Sequence, residues 1–204
     1  MMLKRQDLKQ GVFKCLWVFY CFLLLSSCQQ PMEEQNSQPK LVMAAAYNAQ
    51  LALAYLQQDD PVRAKRKLLL ALTQDPQSLL ANSSMAYYLE QCGEKEKAAF
   101  YYKKAMMLAP RAGSAWNNYG AFLCRQGHYQ QAEAYFLKAA NDLHYDNPAA
   151  AYENAGLCCL ASGDHRKARR YFVNALEHAP TRAVSLEQLL KLDKTTSYGK
   201  KIAV

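Results

Sequence analysis

One residue pattern recurs four times along this chain, and its spacing leaves little freedom for the fold. Copies begin at Ala45, Leu79, Gly113 and Ala149, that is, 34, 34 and 36 residues apart. In the third copy the marker residues are Trp116, Tyr119, Gly120 and Leu123, then Ala132, Phe136 and Ala139. The fourth reads Tyr152, Ala155, Gly156 and Cys159, then Ala168, Phe172, Ala175 and Pro180. The second has Asn82, Met85, Ala86 and Leu89, then Ala98, Tyr102, Ala105 and Pro110. The first has Asn48, Leu51, Ala52 and Tyr55, then Ala64, Leu68, Ala71 and Pro76. Markers three and four residues apart belong to helices. A pair of helices repeated at this period cannot bury its apolar faces alone, so successive copies must stack.

These markers resemble the tetratricopeptide repeat (TPR), which implies an all-α superhelix of antiparallel helix pairs. The departures are Asn48 and Asn82 in place of a large residue, and His144 where the other copies have Pro. Ala52, Ala86, Gly120 and Gly156 are small where paired helices approach most closely, and Ala64, Ala98, Ala132 and Ala168 answer them from the second helix. Tyr102, Phe136 and Phe172 are expected to fill the space between successive repeats, and Trp116 to be core. Turns fall at Asp59-Asp60-Pro61, Gly93, Gly127 and Gly163, and prolines end second helices. The four repeats occupy residues 45–78, 79–112, 113–148 and 149–182. Two extra residues in 141–148 predict a longer loop that offers a partner contact. Residues 183–204 read as one more first helix, from Ala183 to Leu192, capping the stack, followed by a frayed tail.

Ahead of the repeats, a basic segment precedes the apolar run Cys15 to Leu25, which is too short to span a bilayer as a helix. Leu25-Ser26-Ser27-Cys28 follows and resembles the bacterial lipobox. The resemblance implies that residues 1–27 are a lipoprotein signal peptide, with cleavage before Cys28 and acylation (palmitate) of that cysteine. An uncleaved membrane-tethered helix is the alternative. Two or more acyl chains anchor stably, because each buried methylene contributes about 0.8 kcal/mol. Gln29 rather than Asp after the cysteine favours the outer membrane, with the domain facing the periplasm. Residues 28–44 complete this region as the acylated cysteine and a flexible tether.

No catalytic constellation appears, and the chain does not read as an enzyme. His128, His144, His165 and His178 show no metal spacing, and there is no Gly-rich phosphate loop. No cofactor, metal or small-molecule substrate is expected. The 25 Lys and Arg against 17 Asp and Glu give +8, and +5 once residues 1–27 are set aside. This is too mild to indicate nucleic acid. The basic runs Lys65-Arg66-Lys67 and Arg166-Lys167-Ala168-Arg169-Arg170 fall on second helices and read as a solvated convex face, or as a contact for an acidic partner or lipid. Cys92, Cys124, Cys158 and Cys159 read as small buried or half-buried thiols, with a Cys92–Cys124 bridge left open.

In TPR stacks, positions 2, 5, 9, 12 and 13 of each first helix face a concave groove. In repeat one these are Ala46, Ala49, Leu53, Leu56 and Gln57, an apolar strip suited to an amphipathic or extended segment of another protein. The alternative is that residues 31–44 fold back and cover it. Tyr87, Glu90 and Gln91, then Asn117, Asn118, Cys124 and Arg125, then Glu153 continue the groove as a mixed polar wall.

A lipobox, a short polar tether and these repeats together resemble the type IV pilus biogenesis lipoproteins of the PilF/PilW type, which act as pilotins. The densest matches are Asn117-Asn118-Tyr119-Gly120-Ala121-Phe122-Leu123-Cys124 with Arg125-Gln126-Gly127, and Asn154-Ala155-Gly156-Leu157-Cys158. The resemblance implies a scaffold that helps the outer-membrane secretin reach the membrane and assemble into multimers. Its partners would be the secretin or another pilus-assembly protein, and the membrane through the lipid anchor. A TPR lipoprotein scaffold of another envelope machine, such as outer-membrane protein insertion, is the alternative. Members of this family usually carry more repeats than the four and a fraction found here.

Overall fold

The computed structural model describes residues 34–202, with side chains described from 38 to 194. Contacts divide the chain after Lys40, and the unit Leu41–Val204 holds the repeats. Of the unit Met1–Lys40, only the start of a helix is described. The signal peptide, the lipobox and Cys28 lie outside the described residues.

Nine helices and no strands make up the described residues: α1 (Glu34–Gln57), α2 (Pro61–Gln74), α3 (Leu79–Gln91), α4 (Lys95–Leu108), α5 (Gly113–Arg125), α6 (Tyr129–Ala140), α7 (Pro148–Ala161), α8 (His165–His178) and α9 (Ala183–Ile202). α1 to α8 alternate as first and second helices of four repeats, and α9 follows the last pair. No described helix is long and apolar enough to cross a membrane.

The turn inside each pair is built the same way four times. Asp59, Gly93, Gly127 and Gly163 take left-handed φ values of 56°, 78°, 81° and 84°. The following amide then reaches back to a carbonyl five residues earlier: Asp60 to Tyr55, Glu94 to Leu89, His128 to Leu123 and Asp164 to Cys159. This closes the end of the first helix and satisfies its free carbonyls. Asp60 and Asp164 then cap the next helix by accepting from the amides of Arg63 and Lys167.

Small-to-large packing holds each pair together. A Cβ added at Gly156 would lie 2.7 Å from the Phe172 ring, and one at Gly120 would lie 2.9 Å from Phe136. Phe136 and Phe172 therefore fill space within their own repeats rather than only between repeats. Tyr102 does bridge, with its ring 5.2 Å from that of Phe122 in the next repeat. Trp116 departs from the core reading. It is half-buried, stacks on Tyr135 at 5.7 Å, carries the Lys138 ammonium 3.3 Å above its ring, and donates to the Pro110 carbonyl. Its wide ring fits the edge of the helix pair, because the close-approach positions admit only Ala or Gly.

Both ends differ from the sequence reading. The tether assigned to residues 28–44 is helical from Glu34 onward. Leu, Met, Ala, Lys, Glu and Gln dominate that stretch and are good helix formers continuous with an anchored helix, opposed only by Pro39. At the other end the helix runs through the supposed frayed tail as far as Ile202. Its Leu189 and Leu192 pack on the core.

The inserted loop between α6 and α7 folds back on the stack. A Cβ on Gly113 would overlap the Tyr145 side chain, so the bare glycine makes room for that ring. Leu143 at the loop tip is 97% exposed.

Candidate functional site: the first-helix groove

The curvature of the stack follows from which helices touch. Among repeats two to four, successive first helices α3, α5 and α7 contact one another, whereas successive second helices do not approach to the same degree. First helices therefore line the inner, concave side.

Position 5 of the repeat is not part of that surface. Ala49, Ser83, Asn117 and Glu153 are all buried. Ala49 has no exposed surface and sits in a cluster with Ala45, Ala71 and Ala81. Asn117 accepts a hydrogen bond from Asn154 Nδ2 at 3.0 Å, tying α5 to α7. Glu153 accepts from Arg182 Nη2 at 2.7 Å and from Ser185 Oγ at 2.7 Å, holding the start of α9. Ala49, Asn117 and Glu153 thus leave the list of partner-contacting residues. Neighbouring first helices approach so closely at position 5 that its side chains are used to join them.

Arg125 is also engaged. Its Nε and Nη2 reach Glu90 Oε1 and Oε2 at 2.7 and 2.8 Å, a two-pronged bridge between repeats two and three. Hydrogen bonding to Glu90 raises the Arg125 pKa further. Burial pushes the Glu153 carboxyl up, but hydrogen bonds from Arg182 and Ser185 outweigh it and hold the group below its ordinary range. Across positions 2, 5, 9, 12 and 13 of all four repeats, Glu90, Arg125 and Glu153 are the only charges. All three are ion-paired, Glu90 and Glu153 within the stack and Arg125 at its exposed edge.

What faces the groove is an uncharged, mostly apolar line. Ala46, Leu53 and Leu56 are half-buried, Tyr87 is 37% exposed, and Gln57 and Asn118 are exposed. At position 9, Leu53, Tyr87, Ala121 and Leu157 follow one another from repeat to repeat, and Leu157 is as open as Tyr87. The sequence reading missed Ala121 and Leu157, although both hold the repeat position that had already picked out Leu53 and Tyr87. Residues 41–44 belong to α1 itself, so they do not double back across its face.

A disulfide joins Cys124 of α5 to Cys158 of α7, with Cα atoms 5.8 Å apart. This replaces both the four-thiol reading and the Cys92–Cys124 pairing. The two-residue insertion shifts Cys158 relative to Cys124 in the repeat pattern, which hid the match. Cys159 remains a buried thiol, pushed up to about 11 by burial. At the same seam, a cleft of about 270 Å³ is lined by residues including Tyr129, Glu133, Cys158, Cys159 and Lys167. Lys167 Nζ lies 2.8 Å from Glu133, which also accepts from the Tyr171 hydroxyl. No cluster of His, Cys, Asp or Glu among the described residues is placed to hold a metal ion.

The repeats match the family model described as tetratricopeptide repeat over residues 111–181 and 81–111. A protein of Haemophilus influenzae, described as uncharacterized, is 35% identical over 145 residues, covering 71% of this chain and 79% of that protein. The type IV pilus assembly protein PilF of Pseudomonas aeruginosa is 33% identical over 144 residues, covering 69% of this chain. The match spans 57% of the length of PilF. Among solved structures, P. aeruginosa PilF superposes with a TM-score of 0.69 at 29% identity, covering 78% of this chain and 72% of that one. PilW, a type IV pilus biogenesis factor, superposes with a TM-score of 0.66 at 28% identity, covering 75% and 70%.

Proposed function

Because the chain belongs to the tetratricopeptide-repeat proteins of type IV pilus biogenesis, the PilF/PilW type, we propose that it is a pilotin. It is an outer-membrane lipoprotein, anchored through acylated Cys28, that holds a segment of the pilus secretin while the secretin assembles into multimers. The observation that carries this reading is the groove itself. Its apolar line through Leu53, Tyr87, Ala121 and Leu157 is open, and its charges are already paired.

Such a surface favours a neutral segment with regularly spaced apolar side chains over an acidic tail, for which no free cation stands at the groove positions. The partner-contacting residues are Ala46, Leu53, Leu56, Tyr87, Asn118 and Leu157. A Cys124–Cys158 bridge suits an oxidising compartment such as the periplasm, which supports the proposed localisation. TPR folds are in general scaffolds rather than catalysts, and binding is the activity this one is built for.

Deleting the gene and assaying heat-resistant secretin multimers in the outer membrane tests the proposal. Lost multimers and lost pili are the expected result, while normal multimers with normal pili would remove it. Cys28→Ser tests the anchor separately: unchanged processing and membrane association would contradict lipidation.

A further inference from the structure

Repeat one presents a second surface, on the side facing away from repeat two, and it differs from its counterparts in composition. Position 3 of the first helix is Ala81, Ala115 and Ala151 in repeats two to four, each fully or almost fully buried by the preceding repeat. In repeat one the same position is Tyr47, 65% exposed, with Met43 one turn before it. A tyrosine there is not shaped for another repeat, because that packing admits only alanine.

The second helix carries apolar residues at two positions that are polar and not buried in the other repeats. Position 18 is Glu96, Gln130 and Arg166 in repeats two to four, but Val62 in repeat one, 79% exposed. Position 26 is Lys104, Lys138 and Asn174 elsewhere, but Leu70 in repeat one, exposed beside Leu69. Between these apolar side chains lie Lys65 and Arg66, exposed, with no ion-pair partner among the described residues. On α2, Val62, Arg66, Leu69 and Leu70 lie opposite the buried stripe Ala64, Leu68 and Ala71.

We propose that this outward face of repeat one rests on the surface of an anionic bilayer. Apolar side chains and a tyrosine interleaved with unpaired cations are what a helix lying in a lipid interface requires. The cations select anionic headgroups, to which they are drawn near a charged surface. A second copy of the chain is a poorer occupant, since pairing two identical basic faces sets like charges against each other. The proposal rests on the anchored reading in one respect only: acylated Cys28, fifteen residues before Met43, keeps a membrane within reach. The docked domain would then lie against the membrane instead of swinging free of it.

The test uses the full chain reconstituted in vesicles of phosphatidylethanolamine and phosphatidylglycerol carrying brominated acyl chains, which quench nearby tryptophan. Tyr47→Trp and Leu69→Trp are each compared with Phe100→Trp on repeat two, in a Trp17→Phe background and against the constant Trp116 signal. The added tryptophans at 47 and 69 should lose most of their emission, and the one at 100 should keep it. Lys65→Glu with Arg66→Glu, or vesicles without phosphatidylglycerol, should restore emission at 47 while the chain still floats with the lipid. Floating vesicles with no quenching at 47 or 69 would overturn the face and leave the anchor standing. Quenching that persists in Cys28→Ser would establish the face without the anchor. A concentration-dependent dimer with no quenching would assign the face to a second copy and overturn the proposal.

Discussion

Repeats three and four are joined by covalent and polar bonds, whereas repeats one and two are held together mainly by apolar contact, with Asn82 donating to the Pro76 carbonyl in the connecting turn. The first seam carries the Cys124–Cys158 disulfide, the Asn154–Asn117 hydrogen bond and the Glu133–Lys167–Tyr171 cluster. Arg125–Glu90 extends this to repeat two, and Glu153–Arg182 extends it to the cap. No side-chain hydrogen bond or ion pair among the described residues joins α1 or α2 to α3 or α4. Small residues meet there instead: Ala45, Ala49 and Ala71 against Ala81. The comparison separates a rigid base from a more loosely held end. Local opening is easiest where few polar and no covalent links must break, and that end also carries most of the proposed contact surface.

The largest expected effect comes from breaking the strongest seam. Reducing the disulfide, or Cys158→Ala, should cost about 3–4 kcal/mol by the loop-closure relation and lower Tm measurably. If the reduced and oxidised proteins melt together, the disulfide does not stiffen repeats three and four. Next, Glu153→Ala removes the acceptor shared by Arg182 and Ser185 and should cost roughly 1–3 kcal/mol. Proteolysis should then cut first at residues 179–182. Intact resistance there would mean that α9 is held by its leucines alone.

Acid should weaken the same half. Hydrogen bonds to their partners hold the Glu133 and Glu153 carboxyls below the ordinary 4.5, against the opposing effect of burial. A lowered folded-state pKa gives stability that is complete above the unfolded value and lost as pH falls through the folded one. Denaturation midpoints should therefore hold from neutral pH to about 5 and fall below it, and Glu133→Gln should flatten part of that slope. The smallest effect on stability is expected from Leu53→Glu, at roughly 0.5 kcal/mol or less for a half-exposed site, with loss of partner capture. Unchanged capture would count against the groove.

The repeat period made the helix pairs and their turns legible, because Gly, Ala and aromatic residues must recur wherever identical helices meet. Position 5 shows why the site was less so. Asn117 and Glu153 are polar on a first helix, and a linear pattern does not reveal that a neighbouring helix claims them. Trp116 looked like core because it holds a large-residue position, but the structure leaves it half-buried at the edge of the pair. The Cys124–Cys158 pairing was obscured by the two inserted residues, and the early start of α1 by Pro39, which resembles a linker signal.

Hydrogen exchange on the full chain, alone and co-purified with secretin, tests the central claim most directly. The account predicts new protection along α1, α3 and the exposed first-helix face of α7, with α6 and α8 unchanged. Protection confined to the second helices, with α1 and α3 unaltered, would contradict it.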